Sequence, residues 1–126
     1  MSEQKLILLI DDEQDLVDMI GFQLRARGFR VDTAPDGRAG LERLKTVKPD
    51  LIVLDMNMPN MGGIEFFQNI CDEHSNPRYP VFVLTARTNM MIWNTLFADS
   101  KIEGFMPKPF EIEQLISAID EATRRR

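Results

Sequence analysis

The sequence predicts a doubly wound α/β domain, a five-stranded parallel sheet with helices on both faces, and three features carry that prediction. Apolar runs alternate with segments of helical period along the whole chain, giving five strand–helix units in a row. The strongest runs, Leu6-Ile7-Leu8-Leu9-Ile10, Leu51-Ile52-Val53-Leu54 and Val81-Phe82-Val83-Leu84, are continuous rather than alternating. Continuous apolarity marks a strand covered on both faces, as in parallel sheet. Each of these runs stops abruptly at a polar residue: Asp11-Asp12, Asp55 and Thr85.

After the first strand, Leu16, Ile20 and Leu24 recur at helical spacing with Met19 adjoining, and Gly28 is a natural stop. Residues 29–34 read as a shorter, more polar strand at a sheet edge. Asp36 can cap a second helix carrying Leu41 and Leu44, and Pro49 marks its exit. The Leu51–Leu54 run ends in Asp55, and a loop rich in Met, Pro and Gly follows over residues 56–63. A third helix carries Ile64, Phe67, Ile70 and Cys71, and Pro77 and Pro80 bracket the next loop. After Thr85 a fourth helix is expected over residues 89–100. A short strand over residues 104–106 leads into Pro107-Lys108-Pro109, and a last helix carries Ile112, Leu115, Ile116 and Ile119.

The 126 residues fit one domain spanning 1–126, large enough to bury a core of its own. A formal net charge of −5 argues against direct nucleic-acid binding, because a phosphate backbone selects basic surfaces. The basic run Arg124-Arg125-Arg126 reads as the complement of a helix C-terminus or the start of a linker. One cysteine, Cys71, excludes an internal disulfide and fits a reducing compartment. No apolar run approaches the roughly 20 residues of a membrane span, and no cationic start followed by a long apolar core suggests a signal peptide. The cytoplasm is the expected location.

In an open parallel sheet the site lies beyond the carboxyl ends of the strands, where strand order reverses. That rule singles out Asp11, Asp12, Asp55, Thr85 and Lys108. Singly, each has an ordinary explanation: a carboxylate near a helix start, a turn residue, a capping hydroxyl, a surface cation. At successive strand ends they form one chemical set.

That set, within Asp11-Asp12-Glu13, Asp55-Met56-Asn57-Met58-Pro59-Asn60-Met61-Gly62-Gly63, Leu84-Thr85-Ala86 and Lys108-Pro109-Phe110, resembles the receiver domain of bacterial response regulators, the CheY-like family. The resemblance covers essentially the whole chain. It implies a flavodoxin-like sheet of strand order 2-1-3-4-5. It also implies Mg²⁺ bound by Asp12, Asp55 and the backbone carbonyl of Asn57, with Asp11 acting through a water. Clustered carboxylates need a compensating cation or a proton, and an all-oxygen cluster with room for water suits Mg²⁺.

By the same resemblance, Asp55 is the phosphoacceptor, receiving its phosphoryl group from a sensor histidine kinase or phosphotransfer protein. Lys108 and the Thr85 hydroxyl then stabilise charge on the phosphoryl oxygens. Phe105 is the switch aromatic, the alternative being a core filler, and Pro109 follows a cis peptide. Arg87 stands where the family varies and would tune loss of the phosphoryl group. Ser100-Lys101-Ile102 replaces the small-Gly-small stretch common before the switch aromatic. Effector contact or self-association is expected on the face made by the fourth helix, fifth strand and last helix. There Met90, Ile92, Trp93, Leu96 and Phe97 fill an apolar arc of roughly 160°, wider than one sheet contact needs, and Met91 lies outside it.

Other classes fit less well. A haloacid-dehalogenase-like phosphatase needs a second Asp two residues after its nucleophile, where this chain has Asn57. A flavodoxin-like mononucleotide binder needs a Ser/Thr/Gly-rich cradle where Asp11-Asp12-Glu13 would repel phosphate. A pseudo-receiver, a pure binding module, usually lacks one of the acids or the lysine. The expectation is therefore a switch that catalyses only its own phosphorylation and dephosphorylation. His74 reads as an exposed loop residue and Cys71 as a small core filler. Met56, Met58 and Met61 read either as loop packing or as an adaptable partner surface.

Overall fold

The computed structural model describes residues 4–58, 60–74, 76–86 and 102–124. Five strands, β1 (Leu6–Ile10), β2 (Arg30–Ala34), β3 (Leu51–Asp55), β4 (Val81–Ala86) and β5 (Gly104–Lys108), form one sheet of order β2-β1-β3-β4-β5, and every pair is parallel. The continuous apolar runs occupy the middle: every residue of β1 and β3 is buried. The more polar β2 sits at the edge, where a strand need cover only one side.

Side chains alternate across the sheet and build a core on each face. Ile7, Leu9, Val53, Phe82 and Leu84 pack with α1 (Gln14–Ala26) and the C-terminal helix (Ile112–Arg124). Leu8, Ile10, Ile52, Leu54 and Val83 pack with Phe66, Phe67 and Ile70 of α3 (Gly63–Ile70), beside α2 (Gly37–Arg43). The chain crosses from one side of β1 to the other after β2, so the loops following β1 and β3 part and leave a crevice above the sheet.

Three junctions fix how the helices join the sheet. The α1 helix ends in a Schellman motif: Phe29 N donates to Leu24 O at 3.1 Å and Gly28 N to Arg25 O at 3.0 Å. Gly28 holds φ +94°, which a side chain would resist. At α3, a Cβ on Gly63 would lie 2.6 Å from Met56 Cα, so only glycine lets this helix start so close to the end of β3. Asp36 caps α2 as expected, accepting from Ala39 N at 2.8 Å.

Several expectations are corrected. Cys71 is not part of α3: it is the extended residue after it, half-buried, and bridges to Pro77. Strand β5 runs on to Lys108, because Pro107 and Lys108 pair with Thr85 and Ala86 in register. Met19, which adjoins the apolar stripe of α1, is 52% exposed, and Phe22 of the same helix is 70% exposed. Phe105 is exposed on β5, which excludes its reading as core filler. The expected fourth helix with Met90, Met91, Ile92, Trp93, Leu96 and Phe97, together with Arg87 and the Ser100-Lys101 pair, lies outside the described residues.

Candidate functional site

The site is assembled from residues that the sheet delivers to one edge. Asp11 follows the last residue of β1 and its N–H is tied to Ala34 O at 3.1 Å; Asp55 is the last residue of β3. Thr85 sits one residue before the end of β4, and Lys108 closes β5. Carboxylate oxygens of Asp11, Asp12 and Asp55 all fall within 4.8 Å of one another, with Asp11 and Asp55 buried and Asp12 exposed. At that spacing two like charges repel by about 3 kcal/mol at an effective dielectric near 20.

Among the described residues, one cation answers them. Lys108 Nζ lies 2.9 Å from Asp11 Oδ2, 2.8 Å from Glu13 Oε1 and 3.4 Å from Asp55 Oδ2. Among the described residues, one ammonium faces three clustered acids and leaves negative charge on them. Asp55 is pushed up from the ordinary carboxylate range to about 7, by burial first and by the Asp11 charge second, against the opposing pull of Lys108 and the Asn57 N–H. For Lys108 burial acts downward. The bonds from Glu13 and Asp11 and the charge of Asp55 outweigh it, so the ammonium is held above the usual lysine range.

The remaining polar groups frame this charge. Asn57 N donates to Asp55 Oδ1 at 3.2 Å, and Glu13 N to Asp11 Oδ1 at 2.9 Å. Thr85 is fully buried, and its hydroxyl makes a long 3.4 Å contact with Ala86 O, a weak bond that leaves it free to turn to a better acceptor. A cleft of about 400 Å³, lined by Glu13, Asp55, Asn57, Ala86 and Lys108 among others, opens beside the phosphoacceptor candidate. The Lys108–Pro109 peptide is cis, as the resemblance implied.

All the expected acids, Lys108 and Thr85 thus meet at one end of the sheet. Phe105 lies apart, two residues before Pro107, the residue paired with Thr85. Met56 is buried, and Met58 and Met61 pack partly against the second core, which favours loop packing for these three. His74 is exposed in the loop after α3. Sequence reasoning quoted Glu13 within its motif but missed its bond to Lys108. The available signal was a third acid following the pair, in a site with a single lysine.

The donor set suits a hard divalent ion: oxygen ligands alone, two of them buried, with an exposed side for waters. The profile described as the response regulator receiver domain matches residues 7–120. The chain is 32% identical over 120 residues to response regulator ArlR of Staphylococcus haemolyticus, covering 95% of this chain and 53% of that protein. It is also 32% identical over 121 residues to the alkaline phosphatase synthesis transcriptional regulatory protein PhoP of Bacillus subtilis, covering 96% and 49%. It therefore spans about half the length of the curated relatives it matches.

Among solved structures, the chemotaxis response regulator CheY4 of Vibrio cholerae superposes with a TM-score of 0.82 at 28% identity, covering 94% of this chain and 98% of that one. The receiver domain of Francisella response regulator 1452 gives 0.81 at 26% identity, covering 97% and 98%. With profile, relatives, fold and strand-end residues in agreement, the chain belongs to the response regulator receiver domains, the signalling modules of two-component systems.

Proposed function

We propose that this chain is one receiver domain over residues 1–126, in which Asp55 accepts a phosphoryl group from a histidine kinase or phosphotransfer protein and so switches partner binding. The observation that carries this reading is the convergence of Asp11, Asp12 and Asp55 within 4.8 Å, beside Lys108 and a cleft that reaches Asp55. Asp12, Asp55 and the Asn57 carbonyl would hold Mg²⁺, with Asp11 acting through water. Bound there, the ion would neutralise clustered carboxylates and phosphoryl oxygens.

The chain's own groups account for the rest of the step. An ionised Asp55 oxygen attacks phosphorus in line; a P–O bond forms as the bond from phosphorus to the donor nitrogen breaks, and the electron pair leaves with the imidazole. Lys108 meets the charge on one side of the phosphoryl group and the Thr85 hydroxyl on another, so catalysis is positioning and electrostatics. Movement of Thr85 toward the phosphoryl group would draw Phe105 inward from its exposed position. That change would be read by an effector or a second copy on the face formed by residues 89–100, β5 and the C-terminal helix. No nucleic acid is bound directly in this reading. A cytoplasmic location accords with the single free cysteine, and among the described residues no helix is long and apolar enough to cross a membrane.

The test is incubation with a small phosphodonor and Mg²⁺, followed by intact-mass measurement. One added phosphoryl mass, labile to hydroxylamine and lost in Asp55→Asn, is expected. Undiminished labelling of Asp55→Asn would refute the assignment.

A further inference from the structure

The loop that leaves Asp55 is bolted to the start of α2, a segment distant in sequence from the end of β3. Asn60, in the left-handed region at φ 65°, donates from Nδ2 to Asp36 Oδ2 at 2.9 Å. The other oxygen of the same carboxylate accepts from Ala39 N at 2.8 Å and caps α2. One residue further on, Gly37 N donates to Met61 O at 3.0 Å. Two successive loop residues are therefore pinned to two successive residues at the start of α2. Both bonds in which Asp36 accepts hold its carboxyl below the ordinary range, the Ala39 N–H foremost and the Asn60 amide second.

The opposite end of the loop is fixed by Asp55 itself, whose carboxylate takes the Asn57 N–H, and by Gly63 N donating to Met56 O at 3.4 Å. Asn57 stands between these anchorages. Its carbonyl direction depends on how the loop is held, and the far side of the loop is held by the bonds at Asn60 and Met61.

We propose that Asp36 and Asn60 are positioning residues for the metal site: their bond holds the loop after β3 so that the Asn57 carbonyl faces the carboxylate cluster. This rests on the reading of Asp12, Asp55 and Asn57 as Mg²⁺ ligands. Asn tolerates the left-handed backbone at position 60 and supplies the amide that reaches Asp36, so one side chain serves both needs. Groups that orient the ligands of a metal govern its affinity, and losing one typically costs about 10–100-fold.

The experiment titrates MgCl₂ into the full chain and follows the amide signals of Asp12 and Asn57 by NMR, with thermal unfolding measured in parallel. Asn60→Gly keeps the left-handed backbone accessible and removes only the amide; about tenfold weaker Mg²⁺ binding is expected. The double variant Asp36→Asn with Asn60→Asp exchanges donor and acceptor across the same contact. It should recover most of the affinity, whereas Asn60→Asp alone, with two carboxylates facing each other, should not. A role confined to capping α2 would lower the unfolding temperature of these variants and leave Mg²⁺ affinity at the wild-type value, which would overturn the proposal. Asp12→Ala separates the two readings. Loss of binding there alongside unchanged binding in Asn60→Gly rejects the clamp and keeps the site; wild-type protein that shows no Mg²⁺ response rejects both.

Discussion

Asp55 carries a charge that its surroundings oppose, since burial and Asp11 raise its pKa to about 7. A carboxyl whose folded-state pKa is raised binds its proton more tightly folded than unfolded. Its contribution to stability is then full below about pH 4, the unfolded value, and is lost as pH rises through about 7. Above neutrality the ionised carboxylate strains the metal-free protein. Asp55→Asn removes that strain, so without Mg²⁺ at pH 8 the variant should melt at least about 3 °C higher, the effect of roughly 1 kcal/mol in a domain of this size. The gap should close near pH 4, and thermal unfolding across the pH range checks it. Mg²⁺ should narrow the gap from the other side by stabilising the wild type, as any ligand of the folded state does. The residues of this cluster were legible in the sequence because each terminates an apolar run. The bond from Lys108 to Glu13 and the bond from Asn60 to Asp36 were not, because each joins segments at the ends of different strands, and no local pattern records how two such segments meet.

The junction between β3 and α3 is the element on which the site most depends. Gly63 lets the helix begin against Met56, where a Cβ would meet the Met56 Cα at 2.6 Å and the Asp55 carbonyl oxygen at 2.9 Å. Both are backbone atoms, so relief requires moving the loop. Gly63→Ala is expected to cost about 1–3 kcal/mol, the range for overpacking a fitted interior, and urea unfolding would measure it. An unchanged midpoint would show that the loop yields freely. At this scale the central strands were read correctly, because residues covered on both faces must all be apolar. The end of α3 was misplaced because Cys71 continues the apolar periodicity of Ile64, Phe67 and Ile70 while its backbone has already turned extended.

Across the whole molecule, one sheet carries two cores and gathers its polar strand ends at a single edge. In the proposed switch, phosphorylation at that edge would have to reach a distant surface, and β4 paired with β5 offers the direct route: Thr85 lies beside Pro107, and Phe105 is exposed two residues earlier on the same strand. A complete switch between two states at 1:99 and 99:1 needs roughly 5.5 kcal/mol of preference, so partial activation is the expected response. Self-association should therefore rise with a phosphoryl mimic and fall again in Met91→Glu, as read by analytical ultracentrifugation; association indifferent to both would exclude this face.

The central claim, that a phosphoryl group on Asp55 is felt by Thr85 and Phe105, is tested most directly by adding beryllofluoride and Mg²⁺ to isotope-labelled protein and following its amide signals. Changes at Asn57, Thr85 and Lys108 that extend to Phe105 and vanish in Asp55→Asn are expected. Saturating mimic that leaves Thr85 and Phe105 unmoved, or that acts equally on Asp55→Asn, would contradict it.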